Sequence, residues 1–182
     1  MNLADREQSS GYLAHLKHRE TSDIPRLWDL LDCVMDPEIP VLSLWDLGVL
    51  RNIVDDHGTI VISLTPTYTG CPAMDVMRED LQSVLYENGY KNVRFETCLS
   101  PAWSSDFISL QGREKMQQYG IAPPNPDYCA GTCSSSKPVV SIACPHCGSK
   151  HTKQVSEFGS TACKALHQCL SCLEPFDYFK SI

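Results

Sequence analysis

Four cysteines in two Cys-x2-Cys pairs, Cys144-Pro145-His146-Cys147 and Cys169-Leu170-Ser171-Cys172, carry the clearest chemistry, with 21 residues between Cys147 and Cys169. Two such knuckles let four thiolates converge on one soft cation, and the interval accommodates a short hairpin. The segment is about 40 residues long with little apolar core, so a bound metal would also supply its stability. A closed four-sulfur site has no open position. The spacing therefore predicts a structural zinc ribbon, with iron or an iron–sulfur cluster as rival fillings for the same thiolates.

A fifth candidate stands apart. Cys71 lies in Thr65-Pro66-Thr67-Tyr68-Thr69-Gly70-Cys71-Pro72, where a β-branched run gives way to a helical pattern. A helix start directs unpaired N–H groups and partial positive charge at what precedes it. That setting is expected to favour thiolate, the form that attacks or binds metal. The competing reading is a buried thiol acting as a small hydrophobe.

The remaining cysteines fit less well into a pattern. Cys163, six residues before Cys169, is left over as an alternative ligand, a spare reactive thiol or an inert side chain. Cys129 and Cys133 form a Cys-x3-Cys with metal or redox capacity, whereas Cys33 is expected to pack and Cys98 to be structural. Ten cysteines with no apolar leader in Met1 to Glu20 argue for metal binding over disulfides, and for a cytoplasmic protein. The net charge of −7 disfavours a nucleic-acid partner, and residues 141–182 hold four Lys, no Arg and three acids. No run approaches the roughly 18 apolar residues of a membrane span.

The elements that must position these residues can be read from periodicity. Residues 1–20 read as a loose tail, with room for a short helix over Leu13–Leu16, on one face of which His15 and His18 are solvated. Ile24, Leu27, Leu30, Leu31 and Val34 predict an amphipathic helix capped at Asp23. Val49 to Val54 and Thr59 to Leu64 predict strands joined by the turn Asp55-Asp56-His57-Gly58. Met74, Met77, Leu81, Val84 and Leu85 mark a second helix stopped by Asn88-Gly89, Val93 to Leu99 a third strand, and Ser104 to about Gln118 another helix. The expected architecture is α+β: an assembly-type domain with one mixed sheet over residues 21–120, a Pro/Gly/Ser linker over 121–140 and the zinc ribbon over 141–182.

Asp36-Pro37-Glu38-Ile39-Pro40, Ser43-Leu44-Trp45-Asp46-Leu47-Gly48 and the Cys71 loop together resemble the iron–sulfur assembly domain of SufT-type proteins. The run Ser156 to Leu166, followed by Glu174 to Lys180, resembles the PaaD family of phenylacetate degradation, encoded with the ring-epoxidising phenylacetyl-CoA oxygenase. The resemblance spans residues 21–182 and implies an accessory role in maturing the epoxidase rather than ring chemistry. Its clients would be the di-iron oxygenase and the iron–sulfur reductase, with general iron–sulfur assembly proteins as further partners. By position, Cys71 matches the family's cluster-linked cysteine, and Asp46, Glu38 and Thr67 the polar positions around it. Iron or a cluster would be held there transiently. Ser181 stands where the family often has another cysteine, which disfavours pairing of a late cysteine with Cys163. The alternative is a non-catalytic structural subunit that docks through its ribbon. The chain has no Walker A loop, dinucleotide fingerprint, nucleophile elbow or Glu-x-x-His pairs.

Overall fold

A computed structural model describes residues 9–125 and 142–182, which fall into two compact units divided between Leu110 and Gln111. The first contains helices α1 (Ser10–Glu20), α2 (Pro25–Leu31) and α3 (Ala73–Glu87) and strands β1 (Leu50–Asp56), β2 (Thr59–Leu64) and β3 (Val93–Thr97). The sheet order is β1-β2-β3. β1 and β2 pair antiparallel, with Ile53 opposite Ile62, across a turn in which His57 and Gly58 both take positive φ. Such a turn matches the twist of the strands it joins, and the Gly58 N–H donates to Asp55 Oδ1 at 2.7 Å. β2 and β3 are parallel, with Ile62 opposite Phe95, because α3 carries the chain back along the sheet. The expected mixed sheet is formed. Met74, Met77, Leu81 and Leu85 of α3 are buried, as their helical spacing requires.

Four features of this unit depart from the sequence expectation. The N-terminal stretch, expected to be loose apart from a short helix over Leu13–Leu16, is helical from Ser10 to Glu20 as α1, capped by Ser9, whose Oγ accepts the Tyr12 N–H at 3.3 Å. His15, expected in solvent, is 3% exposed, with its ring 4.2 Å from that of Trp45. Burial first, then the charge of Arg51, lowers its pKa to about 3. α2 stops at Leu31 rather than running to Val34, and Cys33, expected to pack, is exposed beyond the helix end.

The second unit contains most of α4 (Leu110–Tyr119) with β4 (Ile121–Ala122), β5 (Thr152–Ser156), β6 (Lys164–Cys169) and β7 (Pro175–Phe179), in sheet order β4-β7-β6-β5. The unit boundary thus lies ten residues before the expected end of the first domain. The stretch expected to open a linker at Ile121 instead pairs as a parallel strand, with Ile121 opposite Asp177 and Ala122 opposite Tyr178. β5, β6 and β7 form the antiparallel ribbon, whose core holds Ala122, Ile142, Cys144, Ala165, Cys169, Phe176 and Tyr178. Cys129 and Cys133 lie outside the described residues. Among those residues, no helix is long and apolar enough to cross a membrane.

Candidate metal and thiol sites

Each knuckle is a tight turn closed by its own backbone. The Gly148 N–H donates to the Cys144 carbonyl at 2.8 Å, and the Cys144 N–H to the Ser149 carbonyl at 2.9 Å. Gly148 leaves the first knuckle at φ 73°, a conformation glycine adopts freely. Leu173 leaves the second at φ 68°, where a side chain costs about 1–2 kcal/mol.

The turns bring four sulfurs together. Cys144, Cys147, Cys169 and Cys172 place their Sγ atoms within 4.8 Å of one another. Cys144 and Cys172 are 3.7 Å apart, and Cys147 and Cys169 3.6 Å. A tetrahedron with metal–sulfur bonds of about 2.3 Å has edges of about 3.8 Å, so the sulfurs fit a soft four-coordinate cation. Cys169 Sγ also accepts the backbone N–H groups of Ser171 and Cys172, each at 3.4 Å. The Cys172 N–H foremost draws the Cys169 pKa down to about 6, towards the ligand form. This is a four-cysteine metal site.

The leftover thiol does not join it. Among the described residues the metal-capable group consists of the four knuckle cysteines. Cys163 is buried with its Sγ 3.0 Å from Thr161 Oγ1, and its carbonyl accepts the Lys180 N–H at 3.0 Å. The loop before it is equally structural. A Cβ at Gly159 would stand 2.7 Å from Asp177 Oδ1, and Asp177 pairs with the buried Lys164 at 3.5 Å.

Cys71 is built differently. Its loop leaves the end of β2, where the Thr65 N–H donates to the Val49 carbonyl at 2.9 Å, and turns through Gly70 at φ 84°. Cys71 stands half-buried just before the start of α3, its N–H donating to the Tyr68 carbonyl at 3.3 Å. Its thiol pKa is raised, not lowered. Burial is the largest cause, and the charges of Glu38 and Asp36 add to it, outweighing the Ala73 N–H at the helix start. The expected thiolate is thus corrected to a thiol, because the helix start is a weaker influence than desolvation beside two carboxylates.

The residues expected around Cys71 divide. Glu38 bears on the thiol electrostatically, and Thr67 is buried within the same loop. Asp46 is engaged with Ser109. Its Oδ1 accepts the Ser109 hydroxyl at 2.6 Å, its carbonyl accepts the Ser109 N–H at 2.9 Å, and its own N–H donates to Ser43 Oγ at 3.0 Å. Asp36 was not singled out by sequence, yet it is the second carboxylate acting on Cys71. It is buried, and its Oδ1 accepts the N–H groups of Glu38 at 2.8 Å and Ile39 at 2.7 Å. An aspartate followed by two prolines three residues apart was the available signal, since an acceptor is needed for the N–H groups such a loop leaves unpaired.

Comparison with known proteins bears on both sites. A model of the PaaD zinc beta ribbon domain matches residues 130–180, and one of the iron–sulfur cluster assembly protein family matches residues 26–89. Over 159 residues the chain is 44% identical to a protein of Escherichia coli (strain K12) named as a proposed component of 1,2-phenylacetyl-CoA epoxidase, covering 87% of this chain and 93% of that protein. The chain belongs to the PaaD family. Its Cys71 loop falls within the residues matched by the assembly model and its four clustered cysteines within those matched by the ribbon model. The assembly part of this PaaD-family chain is also similar to an Fe-S protein maturation auxiliary factor of Porphyromonas gingivalis (strain ATCC BAA-308 / W83). Identity there is 37% over 94 residues, 50% of this chain and 86% of that protein. A crystal structure of a DUF59 domain from Bacillus anthracis aligns at TM-score 0.47 and 22% identity, over 57% of this chain and 95% of that one.

Proposed function

We propose that this PaaD-family chain is an accessory factor of the multicomponent phenylacetyl-CoA epoxidase, acting in maturation of its metal centres and not in ring epoxidation. The observation that carries the reading is Cys71, a half-buried thiol under the charges of Glu38 and Asp36, in a module matching iron–sulfur assembly proteins. Two carboxylates that disfavour a free thiolate favour a cation at the same place. Iron or a cluster, as cargo, would displace the proton from Sγ and be held while Glu38 and Asp36 balance its charge. Asp46 and Thr67 shape the surrounding loops. The four-cysteine site holds zinc structurally, since four sulfurs leave no position for exchange. The di-iron oxygenase and the iron–sulfur reductase are the clients in this scheme, supplied by general iron–sulfur assembly proteins of the cytoplasm.

The test is anaerobic purification with metal analysis of wild type, Cys71→Ala and a Cys144→Ser/Cys147→Ser double variant, alongside epoxidase activity in cells. Zinc lost only from the double variant and iron lost only with Cys71 is the expected pattern. Cys71→Ala cells should lack epoxidase activity, while oxygenase already matured should turn over without this protein. A continuing requirement for the chain during turnover of metal-replete oxygenase would sink the maturation reading.

The name of the Escherichia coli relative favours a second reading, in which the chain is a non-catalytic structural part of the epoxidase and docks through its ribbon. Co-purification with the other components in fixed stoichiometry would support that reading, and transient association would count against it.

A further inference from the structure

Residues 111–122 precede the residues matched by the ribbon model, yet they belong to the same compact unit as the metal ligands. Ala122 is 2% exposed and lies in the same buried cluster as Cys144 and Cys169. Met116 of α4 and Ile121 of β4 are buried as well. Gly120 turns between them at φ 92°, and a Cβ there would stand 3.1 Å from Cε1 of His146, the ring carried between Cys144 and Cys147. The segment is tied down at its far end, where Arg113 donates to the Pro124 carbonyl at 2.9 Å and Ser181 Oγ to the Asn125 carbonyl at 3.3 Å.

We propose that the four-cysteine metal centre acts as a latch on residues 111–122. A bound cation fixes the knuckle that presents His146 to Gly120 and the buried sulfurs that support Ala122; its loss releases β4 from β7 and, through the Gly120 turn, the α4 that precedes it. β4 is two residues long, too short to hold by ladder hydrogen bonds alone. The ribbon core is also small, and small domains of this kind depend on their metal. Without the cation nothing bonds the two knuckles to each other through their sulfurs, and Cys144 and Cys169, which line the core that Ala122 shares, lose that anchor. The state of the metal is then expressed in the stretch that leads into the ribbon as well as in the knuckles. His146 is a positioning residue in this scheme, touching Gly120 and not the metal. The latch depends on the geometry of the four-cysteine site and is independent of the maturation role.

Hydrogen–deuterium exchange on the full chain, zinc-loaded and then stripped by a chelator under anaerobic reducing conditions, tests the latch. Amides of residues 111–122 are expected to lose protection together with β6 and β7, by about 10-fold or more, while β1 and β2 stay protected, and added zinc should restore them. Retained protection at 111–122 while β6 and β7 exchange would overturn the proposal, as would loss spreading through β1 and β2 or no change in either unit. The second arm is His146→Ala, which keeps all four ligands. Zinc transfer to a competing chelator should accelerate about 10-fold at unchanged stoichiometry, the usual scale for groups that orient a metal site from outside it. An unchanged transfer rate would remove His146 from the latch.

Discussion

The two cysteine sites of this chain solve opposite problems. In the ribbon, four sulfurs converge to fit one cation, backbone N–H groups draw Cys169 down to about 6 while Cys147 and Cys172 are raised, and the site is closed. In the assembly module a single sulfur is half-buried, and that burial, with the charges of Glu38 and Asp36 adding to it, holds it as a thiol until something displaces the proton. Holding a metal permanently calls for the first arrangement. Handing one on calls for the second, because a cargo bound by too many strong ligands cannot leave.

The contrast can be broken most directly at the ribbon. Replacing Cys144 and Cys147 by serine should abolish the bound metal and the cooperative unfolding of the second unit, leaving the melting of the first in place. Calorimetry with metal analysis would show it, and an intact second transition without metal would refute the closed-site account. Next comes Cys71→Ala, expected to remove epoxidase maturation in cells while shifting the melting temperature by no more than a few degrees. The side chain is half-buried and its loss opens at most a small cavity. A large loss of stability would return Cys71 to a packing role.

Acid stability sharpens the electrostatic side. His15 is neutral in the fold down to pH about 3, whereas in the unfolded chain it takes a proton near pH 6.5. The unfolded state therefore binds more protons between those values. Its contribution to stability is full above pH 6.5 and falls towards pH 3, by at most about 1.4 kcal/mol per pH unit. Urea unfolding of His15→Leu across this range should show a flatter pH dependence than wild type, and identical profiles would mean that His15 does not set it.

The smallest expected effect lies at the carboxylates. Glu38→Gln removes one of the charges that raise the Cys71 pKa, so alkylation by iodoacetamide at pH 8 should quicken about 2- to 5-fold, since each pKa unit is a tenfold change. Asp36→Asn should act in the same direction but also cost roughly 1 kcal/mol, because the buried Oδ1 accepts two N–H groups. Alkylation no faster than wild type in both would remove the electrostatic distinction between the two sites.

Spacing made the metal site legible because knuckles are local: the two Cys-x2-Cys pairs alone nominate the ligands. The mixed sheet was equally readable, since Ile53, Ile60, Ile62 and the apolar face of α3 follow their periods. The full extent of α1 was not readable because its buried residue is a histidine held among Trp28 and Trp45, which no apolar pattern announces. β4 was missed because two residues carry no period. The state of Cys71 could not be read locally either, because it depends on the approach of the Asp36-Pro37-Glu38 loop, more than thirty residues earlier in the chain. The sequence marked where the thiol sits in its loop, and tertiary structure decides its proton.

The parallel pairing of β2 with β3 has one more consequence. A chain returning to a parallel neighbour must leave the first strand at its carboxyl end, so the segment from Thr65 to Pro72 is confined to one end of the sheet whatever its residues are. The pairing of Ile60 to Leu64 with Val93 to Thr97 makes no use of that segment. Frame and Cys71 loop can therefore diverge at separate rates. A lineage could lengthen, shorten or recharge the Cys71 loop without redesigning the scaffold that presents it.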